Sequence, residues 1–171
     1  MSANEFYTNA DGLNIRFGLE KATAHKEGRF STSGDTHQHI TKIVGTDLAS
    51  SATLVSTHPV AGIPDGAHIV SATLYVTEAF TSGGSGTLTI GLFNDDGDGT
   101  FSVNDADGID ATIAKTAIDA IGDHVACDGA LVGSGSGVLA GTGDRPLFVC
   151  ANYGTAAMTA GKADLIIEYR K

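Results

Sequence analysis

The chain is expected to be all-β, a β-sandwich or jelly roll with an extended N-terminal arm. Three observations lead to this class. Residues 67–77 and 87–93 alternate apolar and polar with a period of two, the pattern of strands with one buried face. Glycine is frequent, at 23 of 171 residues, and threonine, serine and alanine are abundant, which favours short strands and turns over helices. Turn-forming clusters separate roughly eight strand candidates, the rhythm of sandwiches and rolls.

The central pair sets the arrangement. Ile63-Pro64-Asp65-Gly66-Ala67 opens it as a turn, because proline presets φ and Asp-Gly accepts the tight conformation that follows. Val70, Ala72, Leu74 and Val76 then point one way, and Ser71, Thr73, Tyr75 and Thr77 the other. The segment 81–86 is too rich in glycine for a strand interior and makes the connection. Leu88, Ile90 and Leu92 resume the alternation in the partner strand.

Before this pair, Leu13-Asn14-Ile15-Arg16-Phe17 is a short strand candidate that follows the turn Asn9-Ala10-Asp11-Gly12. Residues 38–44 form another, anchored by Ile40 and Ile43, and Leu54-Val55 a third. Residues 18–36 carry almost no large apolar side chain except Leu19 and Phe30, too few to fold alone. Residues 1–50 therefore read as an arm ordered by contact with something else, and 51–171 as the sandwich domain. The arm's anchors are Phe6, Tyr7, Leu13, Ile15, Phe17 and Phe30; with Arg16 they are the residues expected to contact a partner or another subunit. After the pair, Ile118, Ile121 and the stop Gly122 permit one short helical turn. The segments 147–153 and 164–169 are strands. Leu165, Ile167 and Tyr169 share one face of the last.

Charge and composition exclude several functions. The net charge of −10 argues against binding nucleic acid, which needs a basic patch. No lysine or arginine occurs between Lys42 and Lys115, whereas the first 42 residues balance five cations against five anions. The acidity belongs to the body. No apolar run reaches the ~18 residues of a membrane span. The polar, acidic opening MSANEFYTNADG is unlike a secretory signal, so Cys127 and Cys150 are expected as reduced thiols, with a disulfide between them across a sheet the alternative. No phosphate-binding loop, nucleophile elbow or Cys-x-x-Cys pair is present, and no enzymatic activity is expected.

Two spacings suggest metals. Asn94, Asp96 and Asp98 alternate, Gly99 follows, and Asp105 stands where the last ligand of a calcium loop would be. Asn replaces the usual first Asp and Asp the final Glu, which shortens its reach. The competing reading is an acidic loop of Asp-Gly turns that cap themselves. His37 and His39 would share a strand face as some metal sites do, but no further ligand is near in sequence, and two solvent-facing histidines are expected.

The opening YTNADGLNIRFGLEKA, the middle IPDGAHIVSATLYVTEAF with GTLTIGLFN, and the closing TAGKADLIIEYRK resemble virion structural proteins of tailed bacteriophages, notably marine and cyanobacterial phages. In such proteins a D-G-L-x-(V/I)-R-F-G opening precedes a β-sandwich. The resemblance covers most of the chain and rests on strand and turn patterns, not on catalytic residues. It implies a capsid decoration (cement) protein on the outside of the head. Its partners would be the major capsid protein and further copies of itself, with a trimer favoured. It would be made in the host cytoplasm and would reside on the virion. The segment I-P-x-G-A-x-I-x-S-A-x-L also occurs in carbohydrate-binding sandwiches, so a glycan-binding module with a structural calcium ion is the alternative. The absence of tryptophan, whose ring is a common sugar platform, weighs against it.

Overall fold

A computed structural model describes residues 36–55, 62–133 and 137–171, together with the backbone of three short strands that precede them. Those three are β1 (Glu5–Thr8), β2 (Asn14–Phe17) and β3 (Arg29–Ser33). They are followed by β4 (Thr36–Val44), β5 (Thr53–Leu54), β6 (His68–Ser82), β7 (Thr87–Asp95), β8 (Phe101–Ala114), β9 (His124–Ala126), β10 (Leu147–Gly154) and β11 (Met158–Arg170). The only helical elements among the described residues are single 3₁₀ turns, and none is long and apolar enough to cross a membrane.

The strands form two antiparallel sheets, in the orders β5-β10-β7-β8 and β3-β4-β11-β6-β9, which pack face to face as a sandwich. β1 and β2 pair with each other and join neither sheet. The all-β expectation holds, and the central pair divides between the layers: β6 lies in the five-stranded sheet and β7 in the four-stranded one. The glycine-rich link 83–86 is a corner between sheets, not a hairpin turn within one.

The core is built from alternate residues of both sheets. Leu74, Val76 and Phe80 of β6 and Ala163, Leu165 and Ile167 of β11 meet Leu88, Ile90 and Leu92 of β7 and Leu147, Val149 and Ala151 of β10, all buried. Burying each leucine contributes roughly 1.5–3 kcal/mol before entropy is subtracted. Tyr75, between Leu74 and Val76, points out and is 44 % exposed.

Two residues differ from the expected faces. Glu168 lies opposite Ser71 and Tyr169 opposite Ile69, so Val70 is the extra residue of a β-bulge. The bulge reverses the alternation below Ser71, and Ile69 enters the core in place of Val70. On β4 the inner face carries His39, Thr41 and Ile43, whereas Ile40 lies on the other face. β4 belongs to the sandwich, between β3 and β11, although it falls within residues 1–50. The helical turn expected near Ile118 occurs earlier, as a 3₁₀ turn at Lys115–Ala117. Ile118 is buried, but Ile121 is 73 % exposed, so the two do not share a face.

A segment that read as an acidic loop is mostly strand. β7 and β8 pair from Thr87↔Ala114 to Asp95↔Phe101. Between Ile90↔Asp110 and Leu92↔Asp105, two steps along β7 match five along β8, so β8 carries three extra residues there, and Ile109 among that stretch is buried in the core. Gly91 makes this possible, because a Cβ there would overlap the carbonyl of Asp105.

Candidate interface

The β7–β8 hairpin carries the densest chemistry of the sequence. Asn94 Oδ1 accepts a hydrogen bond from Asn104 Nδ2 at 2.9 Å, and the same amide donates to the Ala140 carbonyl at 2.9 Å. The Ser102 hydroxyl donates to Asp96 Oδ1 at 2.8 Å. The Thr100 amide donates to Asp98 Oδ1 at 2.9 Å, and the Thr100 hydroxyl donates to the same oxygen. These bonds hold the Asp98 carboxyl below its ordinary pKa. The Asp107 amide donates to Asp105 Oδ1 at 3.3 Å. Partial burial, then the neighbouring Asp107, raises the pKa of Asp105.

Each of the four oxygen-bearing side chains suggested for calcium thus caps a local turn or bridges the hairpin. Among the described residues, no three His, Cys, Asp or Glu side chains come together as a metal site. Calcium would have to draw these side chains together from positions set by their hydrogen bonds. Millimolar calcium is therefore expected to leave the melting temperature unchanged, by scanning calorimetry with and without chelator. A rise with added calcium would show that the ion binds the native state, and the self-capped turn would be the wrong reading.

The histidine pair divides. His39 is 2 % exposed and lies within the sandwich, opposite Ile167 of β11, with Nε2 at 3.0 Å from the Thr41 hydroxyl. Burial lowers its pKa from 6.5 to about 4. His37 stacks on Tyr169 with ring centroids 5.2 Å apart. The expectation that both face solvent fails for His39, because the inner face of β4 falls on the odd-numbered residues. Cys127 and Cys150 are free and buried. Burial above all raises each thiol to about 12, so neither presents a thiolate at neutral pH.

The expected contact residues of the arm fall where only backbone is described, or outside the described residues. Phe6 and Tyr7 lie on β1, Ile15, Arg16 and Phe17 on β2, and Phe30 on β3; Leu13 lies outside. In register, Phe6 is opposite Arg16, Tyr7 opposite Ile15, and Phe30 opposite His39.

Sequence reading missed the first half of β8. It is the edge of the four-stranded sheet, and Phe101 and Val103 on it are 36 % and 52 % exposed. The Phe101 ring meets Phe148 edge-on, 5.3 Å between centroids, and Val103 lies opposite Phe93. The signal was present in the alternation Phe101-Ser102-Val103-Asn104, but the flanking aspartates read as a loop. Phe101 and Tyr75 are the exposed aromatic rings among the described residues, and they stand on different sheets, so they do not form one sugar platform.

No family model and no curated protein matches the chain. Solved structures do. A chain of the capsid of Ralstonia phage GP4 is similar at 16 % identity, with a TM-score of 0.50 over 81 % of this chain and 85 % of that one. A chain of the cyanophage Pam1 capsid asymmetric unit gives 0.49 at 16 % identity, over 87 % and 90 % of the two chains. A chain of the acidic stable capsid of Helicobacter pylori bacteriophage KHP30 gives 0.47 at 16 % identity, over 86 % and 94 %. At this identity the likeness to the GP4 chain is a likeness of fold.

Proposed function

We propose that this chain is a structural protein of a tailed-phage virion, specifically a decoration protein that binds the outer surface of the head and stabilises the capsid without catalysis. The observation that carries the reading is the shared fold with a chain of the GP4 capsid over most of both chains. The resemblance of the opening, middle and closing segments to phage virion proteins agrees with it. Its partners are the major capsid protein and further copies of itself, with a trimer the favoured state.

In this reading the residues before Thr36 make the contact. β1 and β2 form a two-stranded sheet that is hydrogen-bonded to neither layer, with β2 close to β3, and such a hairpin is marginal alone in water. It gains order by packing on another surface, with Phe6, Tyr7, Leu13, Ile15, Arg16, Phe17 and Phe30 as the contact residues. Deletion of residues 1–35 removes the edge strand β3 and is expected to leave a folded sandwich, because the four-stranded sheet and β4, β11, β6 and β9 keep their pairings. The truncated protein should keep its β-sheet circular dichroism and a cooperative melt but no longer co-sediment with undecorated heads. Heads that bind the truncated protein as tightly as the full chain would move the contact to the sandwich. Full-length protein that ignores heads altogether would end the decoration reading.

A further inference from the structure

The acidic hairpin carries a covalent chemistry besides its turns. An Asp-Gly step can rearrange without an enzyme. The glycine amide nitrogen attacks the aspartate Cγ, a C–N bond forms, and the carboxyl loses one oxygen as water. The succinimide ring that results takes up water again at either of its carbonyls. Opening at the former main-chain carbonyl leaves the backbone running through Cγ, an isoaspartate. Water is released and then consumed, the amide proton leaves with it, and no oxidant, reductant or second substrate takes part. The step needs a glycine amide free to attack, room for the ring, and a carboxyl close to that amide.

Five Asp-Gly steps lie among the described residues: Asp65-Gly66, Asp96-Gly97, Asp98-Gly99, Asp107-Gly108 and Asp128-Gly129. In four of them the glycine amide is engaged. The Gly66 amide donates to the Leu139 carbonyl and the Gly129 amide to the Ile109 carbonyl, each at 2.9 Å. The Gly97 amide donates to Asp95 Oδ1 at 2.8 Å, and the Arg145 guanidinium packs against Gly97. The Gly108 amide donates to the Asp105 carboxyl, and a Cβ at Gly108 would overlap Leu131 and Asp105.

Gly99 differs on both counts. Its amide makes no hydrogen bond among the described residues, and a Cβ there would meet nothing within 4 Å. Its φ of +88° lies in the left-handed region that glycine enters without strain. The Asp98 side chain folds across it: Oδ1 accepts the Thr100 amide at 2.9 Å and also the Thr100 hydroxyl, so Gly99 lies between the two ends of these bonds. Asp98 and Gly99 are both exposed, and water reaches them. The Thr100 bonds also favour the ionised carboxyl. Loss of water needs the neutral acid, so the step quickens as pH falls towards the carboxyl's own pKa.

We propose that Asp98-Gly99, at the tip of the β7–β8 hairpin, is the step among the five at which the folded chain converts to isoaspartate, selected by its free glycine amide. The product adds one carbon to the backbone and hangs the carboxyl from a new position, where it no longer caps Thr100. The tip loosens, and the pairs from Asp95↔Phe101 inward remain. The acidic hairpin thus keeps its charge and changes its shape as the protein ages.

The test ages the full-length protein for weeks at about pH 5, where the sandwich is still folded and more of the carboxyl is neutral than at pH 7. The protein is then unfolded and cut with chymotrypsin, whose sites after Phe93 and Phe101 release residues 94–101. Electron-transfer fragmentation tells isoaspartate from aspartate at each position. Isoaspartate is expected to accumulate at residue 98 and to stay at its starting level at 65, 96, 107 and 128. Its appearance first at any of those four, or at none of the five, overturns the proposal. A second sample is aged in urea, which frees every glycine amide, and should form isoaspartate at all five. A urea-aged sample that keeps the preference for residue 98 would put the cause in the local sequence and overturn selection by the fold.

Discussion

Leu74→Ala is expected to lower the stability of the sandwich by about 2–5 kcal/mol, the range for truncating a buried leucine into a cavity. Leu74 is fully buried on the inner face of β6 and sits between Leu165 of β11 and Val125 of β9 in the ladder. Three strands fix the backbone around it, so the site collapses little when the side chain is removed. Tyr75→Ser is the control. Tyr75 is one position along, 44 % exposed, opposite Asp164 and His124. Its loss should cost less than half as much. Urea unfolding of both variants by circular dichroism checks the pair. A Leu74→Ala protein with wild-type stability would mean that the faces of β6 are reversed.

Acid is expected to weaken the wild type through His39. Burial favours the neutral imidazole, with a folded pKa of about 4 against 6.5 in the unfolded chain. The unfolded state therefore takes up the proton first. Stability is intact above pH 6.5 and is lost as pH falls to about 4, where the folded state also protonates. At ~1.4 kcal/mol per pH unit the loss totals about 3 kcal/mol. Asp105 and Asp110 oppose it in part. Burial is the leading cause that raises both carboxyls, so the folded state binds their protons more readily and gains stability as pH falls through their folded values. The difference between wild type and His39→Leu cancels these shared terms. The variant loses the 3.0 Å contact to the Thr41 hydroxyl, a cost that is constant with pH. Its melting temperature should fall less between pH 7 and pH 4.5 than that of the wild type. Parallel curves would show that His39 does not titrate as a buried group.

The inward placement of Leu74 is legible in the sequence, because period-two alternation assigns faces wherever one side of a strand is buried. The same alternation places Leu74, Val76, Leu88, Ile90, Leu165 and Ile167 correctly. It fails at Val70 for a specific reason: the extra residue of a bulge exists only relative to the partner strand, and nothing in β6 announces where β11 slips. His39 fails for a related reason. A nine-residue strand with mixed faces has two possible inward sets, and β4 takes the one with two histidines because Ile43 and Thr41 travel with them. The residues left outside include Ile40 and Lys42.

The acidic stretch shows the same division at the candidate site. Its aspartates, glycines and turn chemistry are plain in the sequence, and the hydrogen bonds of Asp96, Asp98 and Asp105 express them. That the stretch from Phe101 on becomes a strand, with an exposed edge carrying Phe101 and Val103, depends on Gly91 across the ladder and on the pairing with β7. Local periodicity and composition are enough to set the class of fold, the core faces of its regular strands and the acidic character of the chain. The bulges, the burial of His39 and the free edge of β8 come from how strands register and stack on one another, which no single strand's own residues specify.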